Sequence, residues 1–143
     1  MDRRAYADRY AAADVTSAGR ERVLLLLLEG GSRFLRLTRE ALIAGDVARF
    51  ATHVARVQAI VAELLGTLDR DAGGRIAADL ARLYDFMLFH LTEANARKSL
   101  RHVDEVIRVY VTIEDAFRTI LAPAAAHVPP PPHDDAESRV ATA

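Results

Sequence analysis

Histidines and the acidic residues near them are the first groups to test for chemistry in this 143-residue chain, which contains five histidines and no cysteine. Without cysteine there is no disulfide, no thiolate metal site and no sulfur nucleophile. A carboxylate-bridged metal pair inside a helical bundle needs Glu-x-x-His on facing helices. Three residues after Glu29, Glu40, Glu63, Glu93, Glu105 and Glu114 stand Ser32, Ile43, Gly66, Ala96, Arg108 and Phe117, none of them histidine. Phosphoryl transfer through a histidine favours a pattern like His-x-x-Lys-Gly, in which the lysine holds the phosphate. His53 is instead followed by Arg56 and Val57, His90 by Glu93, and His102 by Asp104 and Glu105. Carboxylates so placed repel a phosphate. The histidines therefore read as surface or boundary residues. Neither a glycine-rich phosphate loop nor a Gly-x-Ser-x-Gly elbow occurs. The expectation is a chain with no catalytic residues, no metal and no cofactor, that is, not an enzyme.

Partner classes narrow in the same way. The chain carries 19 Lys and Arg against 20 Asp and Glu, and a nucleic-acid binder would show a marked basic excess. Its longest apolar run, Val23 to Leu28, is far short of the roughly 20 residues that span a bilayer. That run follows a charged opening and is too short for a signal peptide's central region. A soluble, cytoplasmic protein without membrane insertion is expected. With 51% apolar residues, it has material for a substantial core.

Its elements are helices. From Arg22 to Leu121 no proline interrupts a stretch rich in Ala, Leu, Arg and Glu, all good helix formers. Gly45 followed by Asp46 reads as a helix stop and the cap of the next helix. Asp71-Ala-Gly-Gly74 is a second break, and Asn95 to Ser99 a third. Four helices follow, near 18–44, 46–69, 74–96 and 99–121. Their short connections force neighbours antiparallel.

Apolar spacings of three and four support this. They run through Leu24, Leu28, Gly31, Leu35, Thr38 and Leu42; through Val47, Phe50, Val54, Val57, Val61, Leu64 and Leu68; through Leu80, Tyr84, Met87, Leu91 and Ala94; and through Val103, Val106, Tyr110, Ile113, Phe117 and Ile120. Such stripes pack as in a coiled coil. The predicted architecture is all-α, an antiparallel up-down four-helix bundle over 18–121. An N-terminal arm at 1–17 precedes it, and a disordered Pro-rich C-terminal tail occupies 122–143, where Pro129 to Pro132 and then Asp134, Asp135 and Glu137 leave little apolar content.

The bundle carries more apolar surface than one core absorbs. At 100° per residue, Val23 to Leu28 covers every direction around its helix, and Phe86-Met-Leu-Phe89 does likewise. Val109, Val111, Ile60 and Leu65 add to the surplus. The arm with Tyr6 and Tyr10, a second subunit or a partner's amphipathic helix would each cover such a face; alternatively these residues thicken the core or serve only dimerisation. Gly30 and Gly31 let another helix approach closely, from inside the bundle or outside it, although each costs about 1 kcal/mol against alanine within a helix.

Together these residues resemble the flagellar secretion chaperone family, FliS. Tyr10 precedes Thr16-Ser17-Ala18, then Leu25 to Leu28, Glu29-Gly30-Gly31 and Phe34-Leu35, similar to the family's opening. Ala41 to Asp46 resembles its Ala-Ile-x-x-Gly-Asp corner. Arg56-Val-Gln-Ala-Ile60, Glu63-Leu64 and Leu68-Asp69 resemble its second helix. Leu80, Leu83-Tyr84-Asp85-Phe86-Met87 and Leu91-Thr-Glu-Ala-Asn95 resemble its third. The similarity spans roughly residues 5–120. Departures are Leu28 and Glu29 for a Tyr-Asp pair, Gly19-Arg20 for a proline turn, and Phe117 for a tryptophan.

The resemblance implies a cytosolic export chaperone. It would hold the disordered C-terminal segment of flagellin in hydrophobic grooves and present it to the cytoplasmic domain of the flagellar export-gate protein. Other flagellar regulators are further candidate partners. It implies Tyr10 as arm and gate contact, Leu24, Leu25, Leu27, Leu28 and Phe34 as partner-binding surface, and Gly30 and Gly31 as points of close helix approach. Tyr84, Asp85, Met87, Glu93 and Asn95 are family motif residues read as structural. A histidine phosphotransfer bundle and a dimerising bundle are the competing expectations.

Overall fold

The computed structural model describes the backbone of residues 3–126 and the side chains of residues 19–121. It contains four helices: α1 (Arg3–Ile43), α2 (Val47–Gly66), α3 (Arg70–Arg97) and α4 (Leu100–Ala126). α1 packs on α2 and α4, and α3 packs on α2 and α4. Among the described residues the backbones of α1 and α3, and of α2 and α4, nowhere approach within 8 Å between Cα atoms. The four helices therefore form a square in chain order, as the short connections predict.

The corners follow from local chemistry. At the first, Gly45 adopts φ 72°, a left-handed conformation that costs a glycine little. Its N–H bonds the carbonyl of Leu42 at 3.1 Å, and that of Asp46 bonds Ala41 at 2.9 Å, closing α1 with a Schellman motif. The Asp46 carboxylate then accepts from the Arg49 N–H at 3.1 Å, capping α2. Asp69 caps α3 by accepting from Asp71 and Ala72. Lys98 ends α3 in the left-handed region at φ 52°.

The boundaries differ from those predicted. α3 starts at Arg70 rather than 74, because Asp69 caps a first turn that a kink at Gly74 (φ 51°, ψ −129°) joins to the rest. α1 is helical from Arg3, through most of the predicted 1–17 arm, and α4 continues past Leu121 to Ala126. The Ala-rich opening and Ala124 to Ala126 carry helix propensity that a search for apolar stripes does not register. Residues 127–143 of the expected tail lie outside the described residues.

Leu28, Leu35, Phe50, Val54, Val57, Val61, Leu64, Met87, Leu91, Val103 and Val106 are all buried, packed round Tyr84 and Tyr110. Each fully buried Val, Leu or Phe contributes about 1.5–3 kcal/mol. Thr38, a polar member of the stripe, bonds back to the Phe34 carbonyl at 2.6 Å. Two predicted stripe residues are exposed, Val47 and Ile120; each lies within the first or last turns of its helix.

Candidate interaction surface

Tyr110 explains one of the paired glycines. Its hydroxyl donates to the Leu28 carbonyl at 2.8 Å, and the ring lies where a side chain on Gly31 would stand. Gly31 thus lets α4 close on α1 inside the bundle. Leu28 is fully buried in the same place, so neither residue presents surface. Leu24 and Leu27 are half-buried against the core, and Leu25 is half-buried as well. Within the leucine run it is Leu26, 58% exposed, that reaches outward, together with Val23.

Gly30 behaves differently. It faces Ile60 of α2, whose Cδ1 would lie 3.9 Å from a side chain built there. One turn on, half-buried Phe34 holds its ring 6.0 Å from that of His53, and the Arg56 guanidinium lies over it at 5.2 Å. The α1–α2 seam ends in a cavity of about 170 Å³ lined by Leu37, Glu40, Ala41, Asp46, Arg49 and His53. His53 Nδ1 is buried there without a hydrogen-bond partner. By spacing, Leu27, Gly30 and Phe34 share the edge of α1 that meets Ile60 and Arg56 of α2.

A second apolar seam runs between α3 and α4. His90 crosses it, with Nε2 3.1 Å from Glu105 Oε2 and Nδ1 3.0 Å from the Phe86 carbonyl. The imidazole lies on Phe86 at 3.8 Å between centroids and 5.5 Å from His102. Ile76 and Leu83 precede His90 at seven-residue intervals, so they share its edge of α3. Ile76, Leu83, Phe86 and, just beyond them, Phe89 are all exposed.

The motif residues of α3 divide by role. Tyr84 and Met87 are core, and burial pushes the Tyr84 hydroxyl up to about 12. Burial also raises Tyr110, with Glu114 and Tyr84 adding to the effect. Glu93 pairs with Arg97 at 2.8 Å. Asn95 accepts from Lys98 Nζ at 3.0 Å, and the same ammonium sits 5.2 Å over Phe50. These contacts brace the end of α3 and, through Lys98, tie it to Phe50 of α2. Asp85 is exposed. The Tyr10 side chain lies outside the described residues.

Sequence reasoning missed the α2 side of the α1–α2 seam, although Arg49, His53 and Arg56 stand at the spacing of one helix edge. Among the described residues no group of three or more His, Asp and Glu is placed to hold a metal, and no helix is long and apolar enough to cross a membrane.

The family model described as flagellar protein FliS matches residues 2–124. The chain belongs to the FliS family. It is 30% identical over 118 residues to the flagellar secretion chaperone FliS of Salmonella typhimurium, covering 82% of this chain and 87% of the relative. To the FliS of Campylobacter jejuni it is 32% identical over 114 residues, covering 78% and 89%. To the flagellar secretion chaperone FliSB of Pseudomonas aeruginosa it is 29% identical over 105 residues, covering 73% and 83%. FliS membership sets this bundle among flagellar export chaperones, a family that is not one of enzymes, and gives its surplus apolar surface a context.

Proposed function

We propose that this chain is the cytoplasmic chaperone of a flagellin. It takes up the disordered C-terminal segment of its client as helices in the apolar seams, prevents premature polymerisation, and presents the complex to the cytoplasmic domain of the export gate. Tyr10 is the gate contact in this reading. The observation that supports it is that large apolar side chains stand in two seams of a bundle whose core is already filled. Contiguous exposed apolar surface marks a site of association. Ordering a disordered client costs about 2–5 kcal/mol of the contact energy, so an extensive surface suits the task. The mechanism is stoichiometric burial, with no bond made or broken.

The test is capture of purified flagellin, full-length and lacking its C-terminal segment, followed by calorimetry with that segment alone. Capture that requires the segment, with one-to-one binding and a large negative heat-capacity change, is expected. Equal capture of both flagellins overturns the reading. A chain that forms a stable dimer by light scattering and binds neither flagellin would assign the apolar seams to self-association. A Tyr10→Ala variant should keep the client and lose the gate domain.

A further inference from the structure

We infer that residues 127–143 of this chain fold back along the α3–α4 seam as an extended strap and cover it until a client arrives. The inference rests on the chaperone reading for what displaces the strap, and not for where the strap lies. The His90–Glu105 pair sets the register of this seam. On α3, Leu83 and Ile76 stand seven and fourteen residues before His90; on α4, Val109, Ala116 and Ile120 stand four, eleven and fifteen residues after Glu105. Each series keeps to one edge of its helix. The two helices are antiparallel, so both series run the same way from the pair, and Ile76 and Ile120 lie about 21–22 Å from it. These isoleucines, 74% and 71% exposed, mark one end of the seam.

The chain leaves the bundle at that same end. α4 stops at Ala126, about 9 Å beyond Ile120 along the helix, and residues 127–143 follow. The amino-terminal stretch does not compete for this seam, because it continues α1, which lies diagonally across the square from α3. The family match ends at residue 124, so the strap lies outside the matched bundle.

The reach is sufficient. Extended at about 3.1 Å per residue, residues 127–143 span about 50 Å, whereas the way back from Ala126 to the level of Glu105 is about 32 Å. That leaves His127 and Val128 for the turn. Pro129 to Pro132 then pass Ile120 and Ile76, and the chain beyond them runs by Leu83 towards the exposed rings of Phe86 and Phe89. A proline tract is extended before it binds, so it seats in an apolar, aromatic-lined groove at little ordering cost. The grip is apolar rather than ionic, since along the rim Arg75 and Arg82 share Asp79 and Arg101 meets Glu105. Tethering gives the strap an effective concentration on the order of millimolar, so a weak contact closes the seam.

The test places a nitroxide on the full chain through Ala136→Cys, a unique site because the chain has no cysteine of its own. Amide signals of Leu83, Phe86 and Val109 should broaden strongly. Those of Leu26 and Glu29, on the flank of α4 where Arg118 meets Glu29, should not. Both P129S/P130S/P131S/P132S and I76N/I120N should remove the broadening at the seam, which a tether alone would leave. Equal broadening on the two flanks, or seam broadening unchanged in both variants, overturns the inference. So does broadening passed from labelled chains to unlabelled ones in a mixture, which would give the seam to a second copy. A synthetic peptide of the cognate flagellin's C-terminal segment should abolish the seam broadening. It should bind the four-serine variant about three-fold more tightly, as a strap closed about two-thirds of the time requires. Peptide binding that leaves the broadening undisturbed overturns the guarding role. Seam broadening without any peptide binding upholds the strap and overturns the chaperone reading alone.

Discussion

Tyr110 and Gly31 are one joint: the phenol of α4 occupies the space where Gly31 of α1 has no side chain, and its hydroxyl donates to the Leu28 carbonyl at 2.8 Å. Overfilling that space costs about 1–3 kcal/mol, and losing the hydrogen bond about 0.5–1.5 kcal/mol. Gly31→Ala should therefore lower unfolding free energy more than Tyr110→Phe. The double variant should be less destabilised than the sum, because removing the hydroxyl relieves part of the clash. Urea denaturation of the three variants checks this, and simple additivity would sever the joint.

Alkaline pH should unfold this protein early. Tyr84 titrates at about 12 in the fold against 10.0 in a free chain, so between these values the unfolded state binds fewer protons than the native one. Stability is then fully present below pH 10 and lost as pH rises through 12, by about 1.4 kcal/mol per unit and about 3 kcal/mol in all from Tyr84. Tyr110, also raised by burial, steepens the fall. Denaturation midpoints from pH 8 to 12 should show this decline, and Tyr84→Phe should flatten it.

The first corner is held by two separate devices. Gly45→Ala meets no neighbouring atom, yet the positive φ alone should cost about 1 kcal/mol. Asp46→Ala removes the α2 cap and should cost about 1 kcal/mol. Thermal melts of the two single variants should drop by similar amounts. A drop at Gly45 with none at Asp46 would show that the Arg49 amide finds water instead.

Surface and core should separate cleanly in a binding assay. Leu26→Asn and Phe89→Asn alter side chains 58% and 62% exposed, so melting should hardly move while flagellin capture falls several-fold. Leu35→Ala, 2% exposed, should instead cost about 2–5 kcal/mol and reduce capture only as far as it unfolds the chain. Undiminished capture by both surface variants would remove the apolar seams from the client site.

Much of this was legible in the chain because it is local. Gly45-Asp46 carries its own turn and cap chemistry, and the spacing of Phe50, Val54, Val57, Val61 and Leu64 states which edge of α2 is buried. The surplus at Phe86 and Phe89 was equally readable, because a stripe holds only so many residues. What escaped depends on neighbours distant in sequence. That Leu28 points inward and Leu26 outward follows from where α4 sits, and a run of leucines hides its own phase. Arg56 over Phe34 and His90 against Glu105 require knowing which helix edges meet.

The square in chain order has a kinetic corollary. Contacts of α1 with α2, α2 with α3 and α3 with α4 are each made between sequence neighbours, so they form with little loop closure, as in the fastest-folding helical proteins. Only α1 with α4 joins the two ends of the chain. That seam is fastened by Tyr110 at Gly31, by Arg39 on Asp104 at 2.8 Å and by Arg118 between Glu29 and Glu114. On loop-closure cost it should be the last to close and the first to open. Variants there should speed unfolding and leave the folding rate nearly unchanged, a split that stopped-flow chevrons resolve.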